Sequence, residues 1–370
     1  MVEGTWVGAY QIVAPLGAGG MSEVWIAEHT LLGRRAAIKV LRAELSRRSE
    51  VVTQFFHEAR ITTAVANPGI VQVFDFGFHT DGSAYTVMEL LEGETLDRRL
   101  ARSGVLAADE ALHIVRQVAR TLGIVHARGV VHRDLKPDNI FLVRDLEVTG
   151  GERAKLLDFG IAKQLGDRQV MHESGIVGTP VFMSPEQCRG SRDVDQRSDI
   201  YSLGCLLFTL VTGCPPFEAA DNDTVMAMHL NAPRPVPSRF ATGISPAIDH
   251  LVLGCMAKDP ARRLTAYALA SAIDPLLWAP YPAGAQGWAH APSPDELDTD
   301  VDPTLPGTLD DAVEAQGRPL APTSCPGSCG TIPGWRRSSY SAAVTSEHAS
   351  RGQRSPRAGL YGSAGARPAG

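Results

Sequence analysis

The sequence predicts an α+β chain, with strands gathered ahead of helices and a closing segment that lacks regular structure. Three observations predict it. Short runs rich in apolar and β-branched residues crowd the first 90 or so positions, amphipathic helical spacing dominates the positions up to Leu277, and after Pro280 the composition turns to Pro, Gly, Ala and Ser without a single lysine. A segment of that last kind buries too little to offset backbone ordering at about 1–2 kcal/mol per residue, so disorder is expected there.

Composition narrows the class. The chain has 370 residues, 44% of them hydrophobic, and a net charge of −6, which suits an ordinary soluble globular protein and excludes a dedicated nucleic-acid binder. Arginine outnumbers lysine 30 to 5, so a lysine at a motif position is informative. Six cysteines lack both the close-set pairs of a metal site and the density of a secreted scaffold. Reduced thiols are expected. Cys325 and Cys329 have a metal-compatible spacing but no second pair nearby. The first residues carry no signal-peptide core, and the apolar run from Ile200 to Phe217 is too short and too interrupted for a bilayer span of about 20 residues. A cytoplasmic protein with a buried helix at that run is the expectation.

Taken in order, Tyr10 to Pro15 and Val24 to His29 read as strands joined by Gly17-Ala18-Gly19-Gly20-Met21-Ser22. Glycines let such a turn close on phosphates with its N–H groups, although a plain hairpin would carry the same residues. Ala36 to Leu41 is a strand with one lysine, Lys39. Helical spacing of Val52, Phe55, Phe56, Ala59 and Thr63 then puts Glu58 at the edge of an apolar face. Strand-like segments follow at Ile70 to Phe78 and Ala84 to Leu90. A helix from about Asp109 to Arg128 buries Leu112, Val115, Val118, Ala119 and Leu122, with Asp109 as its cap.

Behind that helix stands His132-Arg133-Asp134-Leu135-Lys136-Pro137-Asp138-Asn139, which gathers a base, cations and an amide within a few residues. The last three residues are also good turn chemistry in their own right. A strand from Ala154 to Leu157 precedes Asp158-Phe159-Gly160, and the same tripeptide occurs earlier as Asp75-Phe76-Gly77 inside a strand. Helices are predicted near Thr224 to Leu230, from Ser245 to Met256 with Ser245 as cap and Pro246 in the first turn, and from Thr265 to Leu277. No repeat of 20 to 50 residues is visible.

The stretch from His132 to Asn139 resembles the catalytic loop of the eukaryotic-type protein kinases, and the other motifs arrive in that family's order. The chain looks similar to the bacterial Hanks-type serine/threonine kinases over roughly 8–278. The resemblance implies a bilobal kinase-like fold, with an N-lobe of about 8–91 carrying one main helix, a larger helical C-lobe of about 92–278, and a tail at 279–370. It implies ATP with Mg2+, or Mn2+ in its place, as cofactors. By the same resemblance Asp134 accepts the hydroxyl proton, Lys136 sits against the γ-phosphate, and Asn139 and Asp158 hold the metal. Lys39 pairs with Glu58 and meets the α- and β-phosphates. The glycine turn, with Gly17, Ala18, Gly19, Gly20 and Val24, covers the nucleotide, although Ser22 replaces the third glycine and is expected to alter loop mobility more than binding. Ala37, gatekeeper Met88 and the hinge from Glu89 to Leu91 hold the adenine. Asp75-Phe76-Gly77 precedes the loop and is structural.

The family's activation segment corresponds to Ile161 to Met183, ending at Gly178-Thr179-Pro180 and Ser184-Pro185-Glu186, where the family has Ala in place of Ser184. Ser174 is the expected phosphosite, to be received by Arg133, and Thr179 is expected beside Asp134 and Lys136. Glu186 should pair with Arg263, and Asp199 should brace the catalytic loop. Protein Ser/Thr hydroxyls are the implied substrates. In the tail, Thr299 with Asp302 and Thr308 with Asp311 resemble ligands of phosphothreonine-reading forkhead-associated domains, a pattern that chance also produces. A pseudokinase scaffold and a small-molecule kinase are the alternatives. The complete catalytic set weighs against the first, and the Glu186, Arg263 and Gly178-Thr179 features weigh against the second.

Overall fold

Strands with buried alternate positions build the front of the molecule. In this computed structural model, which describes residues 1–160, 180–191 and 193–278, they are β1 (Trp6–Val7), β2 (Tyr10–Ala18), β3 (Ser22–His29), β4 (Arg35–Leu41), β5 (Val73–Phe78) and β6 (Ala84–Glu89). They form one antiparallel sheet in the order β1-β2-β3-β4-β6-β5. The strand expected to begin at Ile70 begins at Val73, because Ile70 makes only a parallel bridge to Leu156.

After the short α1 (Ala43–Ser46), α2 (Ser49–Ala64) buries Val52, Phe55, Ala59 and Thr62, and the first two pack on Leu41 and Ala84 of this sheet. Thr62, not Thr63, closes the buried stripe. Phe56 is half-buried and stacks on Phe76 and Phe78 of β5, at centroid separations of 5.3 and 5.1 Å. The early Asp75-Phe76-Gly77 is therefore structural, as expected: Phe76 supports the helix from within a strand.

Beyond the sheet come β7 (Gly93–Thr95), α3 (Leu96–Ser103) and α4 (Ala108–His126), then β8 (Ile140–Arg144) and β9 (Glu152–Leu156), with β7-β8-β9 forming a second small sheet. Asp109 does not cap α4. Ala107 holds the cap position without a side-chain bond, and Asp109 lies in the first turn, where its charge complements the helix dipole. Arg99 of α3 joins three elements, with Glu94, Glu110 and Glu152 at 2.6, 2.6 and 2.7 Å from its guanidinium nitrogens.

The remaining helices are α5 (Pro185–Cys188), α6 (Arg197–Thr212), α7 (Asn222–Asn231), α8 (Pro246–Cys255) and α9 (Ala266–Trp278). The apolar run seen in the sequence is α6, and from Ser198 to Thr212 every residue of it is buried. Its Leu203, Leu206, Leu207, Phe208 and Leu210 join Leu112, Val115 and Leu122 of α4 and Val252 of α8 in the largest core. Each fully buried side chain of this kind contributes about 1.5–3 kcal/mol. Its threonines cost little, since Thr209 and Thr212 return their hydroxyls to the carbonyls of Cys205 and Phe208.

Ser245 holds the cap position of α8 as expected, but it contributes its carbonyl and no side-chain bond. Cys188, Cys205 and Cys255 are buried and outside any disulfide, in keeping with the expectation of reduced thiols at these positions. Among the described residues no helix is long and apolar enough to cross a membrane.

Candidate active site

The segment between α4 and β8 hangs from the buried helix α6 by one carboxylate. Asp199 Oδ2 accepts from the His132 N–H at 2.8 Å and lies 2.8 Å from His126 Nε2, while Oδ1 accepts from the Arg133 N–H at 2.8 Å. This matches the bracing role anticipated for Asp199. Arg133 has φ 65°, the single positive value outside glycine among the described residues. Such a backbone persists only where its surroundings over-determine it.

His132 is fully buried, and burial pushes its imidazole below the usual histidine range despite nearby Asp199 and Asp134. The neutral ring fits its partners in one tautomer. Nε2–H donates to the Leu157 carbonyl at 3.1 Å, and Nδ1 accepts from the Asp134 N–H at 3.4 Å. Phe159 packs on the ring at 4.8 Å between centroids. Gly160 donates its N–H to the His132 carbonyl at 2.8 Å, and a Cβ there would meet the Asp134 Cβ at 2.5 Å. Only glycine allows this approach.

The polar groups converge on Asp134. Asn139 Nδ2 donates to its backbone carbonyl at 2.8 Å and to Oδ2 at 3.1 Å, and Lys136 Nζ stands 3.5 Å from Oδ2. The Asp134 carboxylate raises the Lys136 ammonium pKa against the opposing effect of burial. Because a carbonyl accepts only from the nitrogen of Asn139, that amide is fixed with its Oδ1 available as a ligand. Lys39 Nζ lies 2.6 Å from Asp158 Oδ1. Burial disfavours the Lys39 charge, but Asp158, then Glu58 and Asp134, outweigh it and hold its pKa above the ordinary value. Glu58 thus acts electrostatically on Lys39, while Asp158 supplies the close contact.

No cluster of three His, Cys, Asp or Glu forms a metal centre among the described residues. A cation placed here would find one carboxylate, Asp158, and one amide oxygen, that of Asn139. Such a sparse set suits a hard cation whose remaining ligands are phosphates and water.

Above these groups, Val24, Ala37, Met88 and Leu91 share one apolar cluster with Leu16, Val71, Phe141 and Leu157. The residues expected around the adenine are thereby brought together, in one cluster with Leu16, Phe141 and Leu157. Those three were missed because each sits in or beside an apolar strand that reads as generic core. Gly17 and Ala18 remain in β2, paired with Val24 and Glu23, so the glycine turn is shorter than the sequence suggests. Ser22 is buried and paired with Leu41 in the sheet, and the turn closes by a Gly19 N–H to Ser22 carbonyl bond of 2.8 Å. Arg42 Nη2 reaches the Gly19 carbonyl at 2.9 Å. Gly20 has open space around its Cα. The Glu89 carboxylate accepts from Lys155 Nζ at 2.6 Å and from the Gln72 N–H at 2.7 Å.

Where the activation segment ends, Glu186 forms two bonds of 2.6 and 2.9 Å with Arg263. The pair joins residues 77 positions apart. Gln187 escaped the sequence reading; its Nε2 donates to the Arg133 carbonyl at 2.8 Å. A Ser-x-x-Gln capping box at Ser184 was the available signal. Ser174 and Thr179 lie outside the described residues, as do Thr299 and Thr308.

With the geometry in place, comparison decides the family. The model of the protein kinase domain matches residues 10–272. The chain belongs to the protein kinase family. Among kinase relatives, it is 40% identical to serine/threonine-protein kinase Pkn1 of Myxococcus xanthus over 72% of its own length and 38% of that protein. It is 38% identical to serine/threonine-protein kinase PknH of Mycobacterium bovis over 87% of itself and 51% of the relative. The chain thus spans about half or less of these kinases. The crystal structure of the Mycobacterium tuberculosis PknI kinase domain is similar in fold, with a TM-score of 0.58 and 27% identity, over 74% of this chain and 98% of that one.

Proposed function

We propose that this protein is a serine/threonine protein kinase that transfers the γ-phosphate of ATP to hydroxyls of protein substrates. The observation that carries the reading is the convergence of Asp134, Lys136, Asn139, Lys39 and Asp158 on one site anchored to α6. Phosphoryl transfer depends chiefly on positioning and charge stabilisation, and that set offers both.

The roles are those the family resemblance implies, and the placement of the residues supports them. Asp134 accepts the proton of the acceptor hydroxyl, and its orientation is held by Asn139. Lys136 neutralises charge on the moving phosphoryl, while Lys39 orients the α- and β-phosphates with Glu58 behind it. Gly17, Ala18, Gly19, Gly20 and Val24 cover the phosphates. Ala37, Met88, Glu89 and Leu91 frame the adenine. Asn139 and Asp158 would hold a divalent cation, Mg2+ or Mn2+, which would supply charge neutralisation to the phosphates. Arg133 receives an activating phosphate, with Ser174 as its first candidate source and Thr179 closer to the substrate. The kinase domain runs over 8–278, followed by a tail at 279–370 in which Thr299 or Thr308 would engage a forkhead-associated domain once phosphorylated. The protein acts in cytoplasmic signalling.

The test is incubation of purified protein with labelled ATP, Mg2+ and casein, beside Asp134→Asn and Lys39→Met, with phosphosites mapped by mass spectrometry. Phosphate on Ser or Thr that vanishes in both variants is expected, with Asp134→Asn losing at least about 10²–10⁴ in rate. Label on added metabolites but not on protein would indicate a small-molecule kinase. ATP binding without any transfer would indicate a scaffold.

A further inference from the structure

The peptide between Arg133 and Asp134 carries the catalytic aspartate, and two elements hold it. From the core side, Asp199 takes the N–H groups of His132 and Arg133, each at 2.8 Å. From the other side, Gln187 Nε2 donates to the Arg133 carbonyl at 2.8 Å. That carbonyl belongs to the same peptide plane as the Asp134 nitrogen, so its direction fixes where the Asp134 side chain begins. The backbone here needs such control, since Arg133 has φ 65° and no glycine to make it easy.

Gln187 is itself oriented. Its Oε1 accepts from the Ser184 N–H at 3.0 Å, and the Ser184 hydroxyl accepts from the Gln187 N–H at 3.4 Å. The same hydroxyl is 2.9 Å from the Ser198 hydroxyl at the start of α6, and Ser202 Oγ donates to the Phe182 carbonyl at 2.6 Å. Helix α5, directly after the activation segment, is thus seated on α6 by serine hydroxyls. Its one long amide points back to the catalytic loop. Because the amide's oxygen is occupied by Ser184, its nitrogen is committed to donation, and a carbonyl is the partner that suits it.

We propose that Gln187 is a positioning residue of the phosphoryl-transfer reaction, coupling the seating of the activation segment's end to the orientation of Asp134. This deepens the kinase reading and rests on it. Ser184, which departs from the family's alanine, belongs to the same device by locking α5 to Ser198. When α5 is seated, the Arg133 carbonyl is held and the base is aimed. When α5 lifts, the donor leaves and the positive-φ peptide can relax.

The experiment compares the full chain with Gln187→Glu, Gln187→Met and Ser184→Ala. The introduced carboxylate still accepts from the Ser184 N–H but cannot donate to Arg133, whereas the thioether of the second variant does neither at equal length. Measured are kcat and KM for ATP with casein, affinity for a fluorescent ATP analogue, thermal melting, and amide hydrogen exchange over 132–139. Expected for both Gln187 variants is a kcat loss of about 10–100-fold with nucleotide affinity within about 2-fold, as for a misaimed catalytic group. Exchange over 132–139 should quicken. Ser184→Ala should lower the melting temperature while reducing kcat less than Gln187→Glu does.

Two results would overturn the proposal. One is kcat and exchange unchanged in the two Gln187 variants. The other is an equal kcat loss in Gln187→Glu and Ser184→Ala, which would reduce Gln187 to ordinary support of α5. If one Gln187 variant fails to fold, the other decides by the same criteria. Should the wild-type chain transfer no phosphate, the kinase reading falls, and the exchange comparison still shows whether Gln187 holds the loop.

Discussion

At Gly160 the proposed catalytic aspartate, Asp134, and the segment that follows β9 come closer than any side chain permits. Its N–H reaches the His132 carbonyl at 2.8 Å, and an added methyl would sit 2.5 Å from the Asp134 Cβ. Neither neighbour can retreat, because Asp134 is bonded to Asn139 and the loop is bonded to Asp199. Gly160→Ala is therefore expected to displace the base by several tenths of an ångström and lower kcat about 10²-fold. Steady-state kinetics check this, and an unchanged kcat would show that the segment shifts freely. The sequence made Gly160 visible as part of a motif but gave no hint of what it touches. Its reason is a three-dimensional clearance.

Elements are joined here by charge as well as by apolar packing. The Arg99 side chain of α3 is 13% exposed and contacts carboxylates from β7, α4 and β9, so removal of its guanidinium deprives three carboxylates of a shared partner, although Glu94 keeps Arg102. Arg99→Met should lower stability by about 1–3 kcal/mol, with part of the loss offset by the partners' exposure to water. Denaturant melts measure it. A loss below about 0.5 kcal/mol would mean that the three carboxylates are satisfied by solvent.

Helix α3 is also where sequence reasoning missed an element. Its eight residues offer only Leu96 and Leu100 as buried aliphatic anchors, and four turns of pattern are not available to reveal a period. The long helices α4, α6 and α8 were legible because repeated apolar spacing reports burial directly. The residues proposed for catalysis were legible for a different reason, as a dense local motif. Gln187, Arg42 and the Glu89–Lys155 pair were not, since each works through a partner distant in sequence, with 54, 23 and 66 positions between the bonded residues.

For the whole molecule, the pair of Glu186 and Arg263 closes the helical lobe across 77 positions of chain. Arg263 has no exposed side-chain surface and Glu186 has 11%. Its guanidinium also bonds the carbonyls of Ala257, Arg197 and Lys258. Losing one member strands the other, so Glu186→Gln should cost about 3 kcal/mol.

A pH signature follows. Burial tends to raise the Glu186 carboxyl, but the Arg263 bonds outweigh it and hold its pKa below the ordinary 4.5. A folded value below the unfolded one means the contribution is complete above about pH 4.5 and fades as pH falls through the folded value. Melting temperature should drop more steeply below that pH in the wild type than in Glu186→Gln. Parallel profiles would argue that other carboxylates dominate acid unfolding.

Asp199 gives the molecule a fixed origin for its chemistry. The residue that orients the catalytic loop belongs to a helix that is buried along its length and remote from the turns at the periphery. Variation in an exposed hairpin such as 145–151 does not move the coordinates from which the base is aimed. Substitutions at such a rim can change what the chain meets without shifting the loop that Asp199 holds.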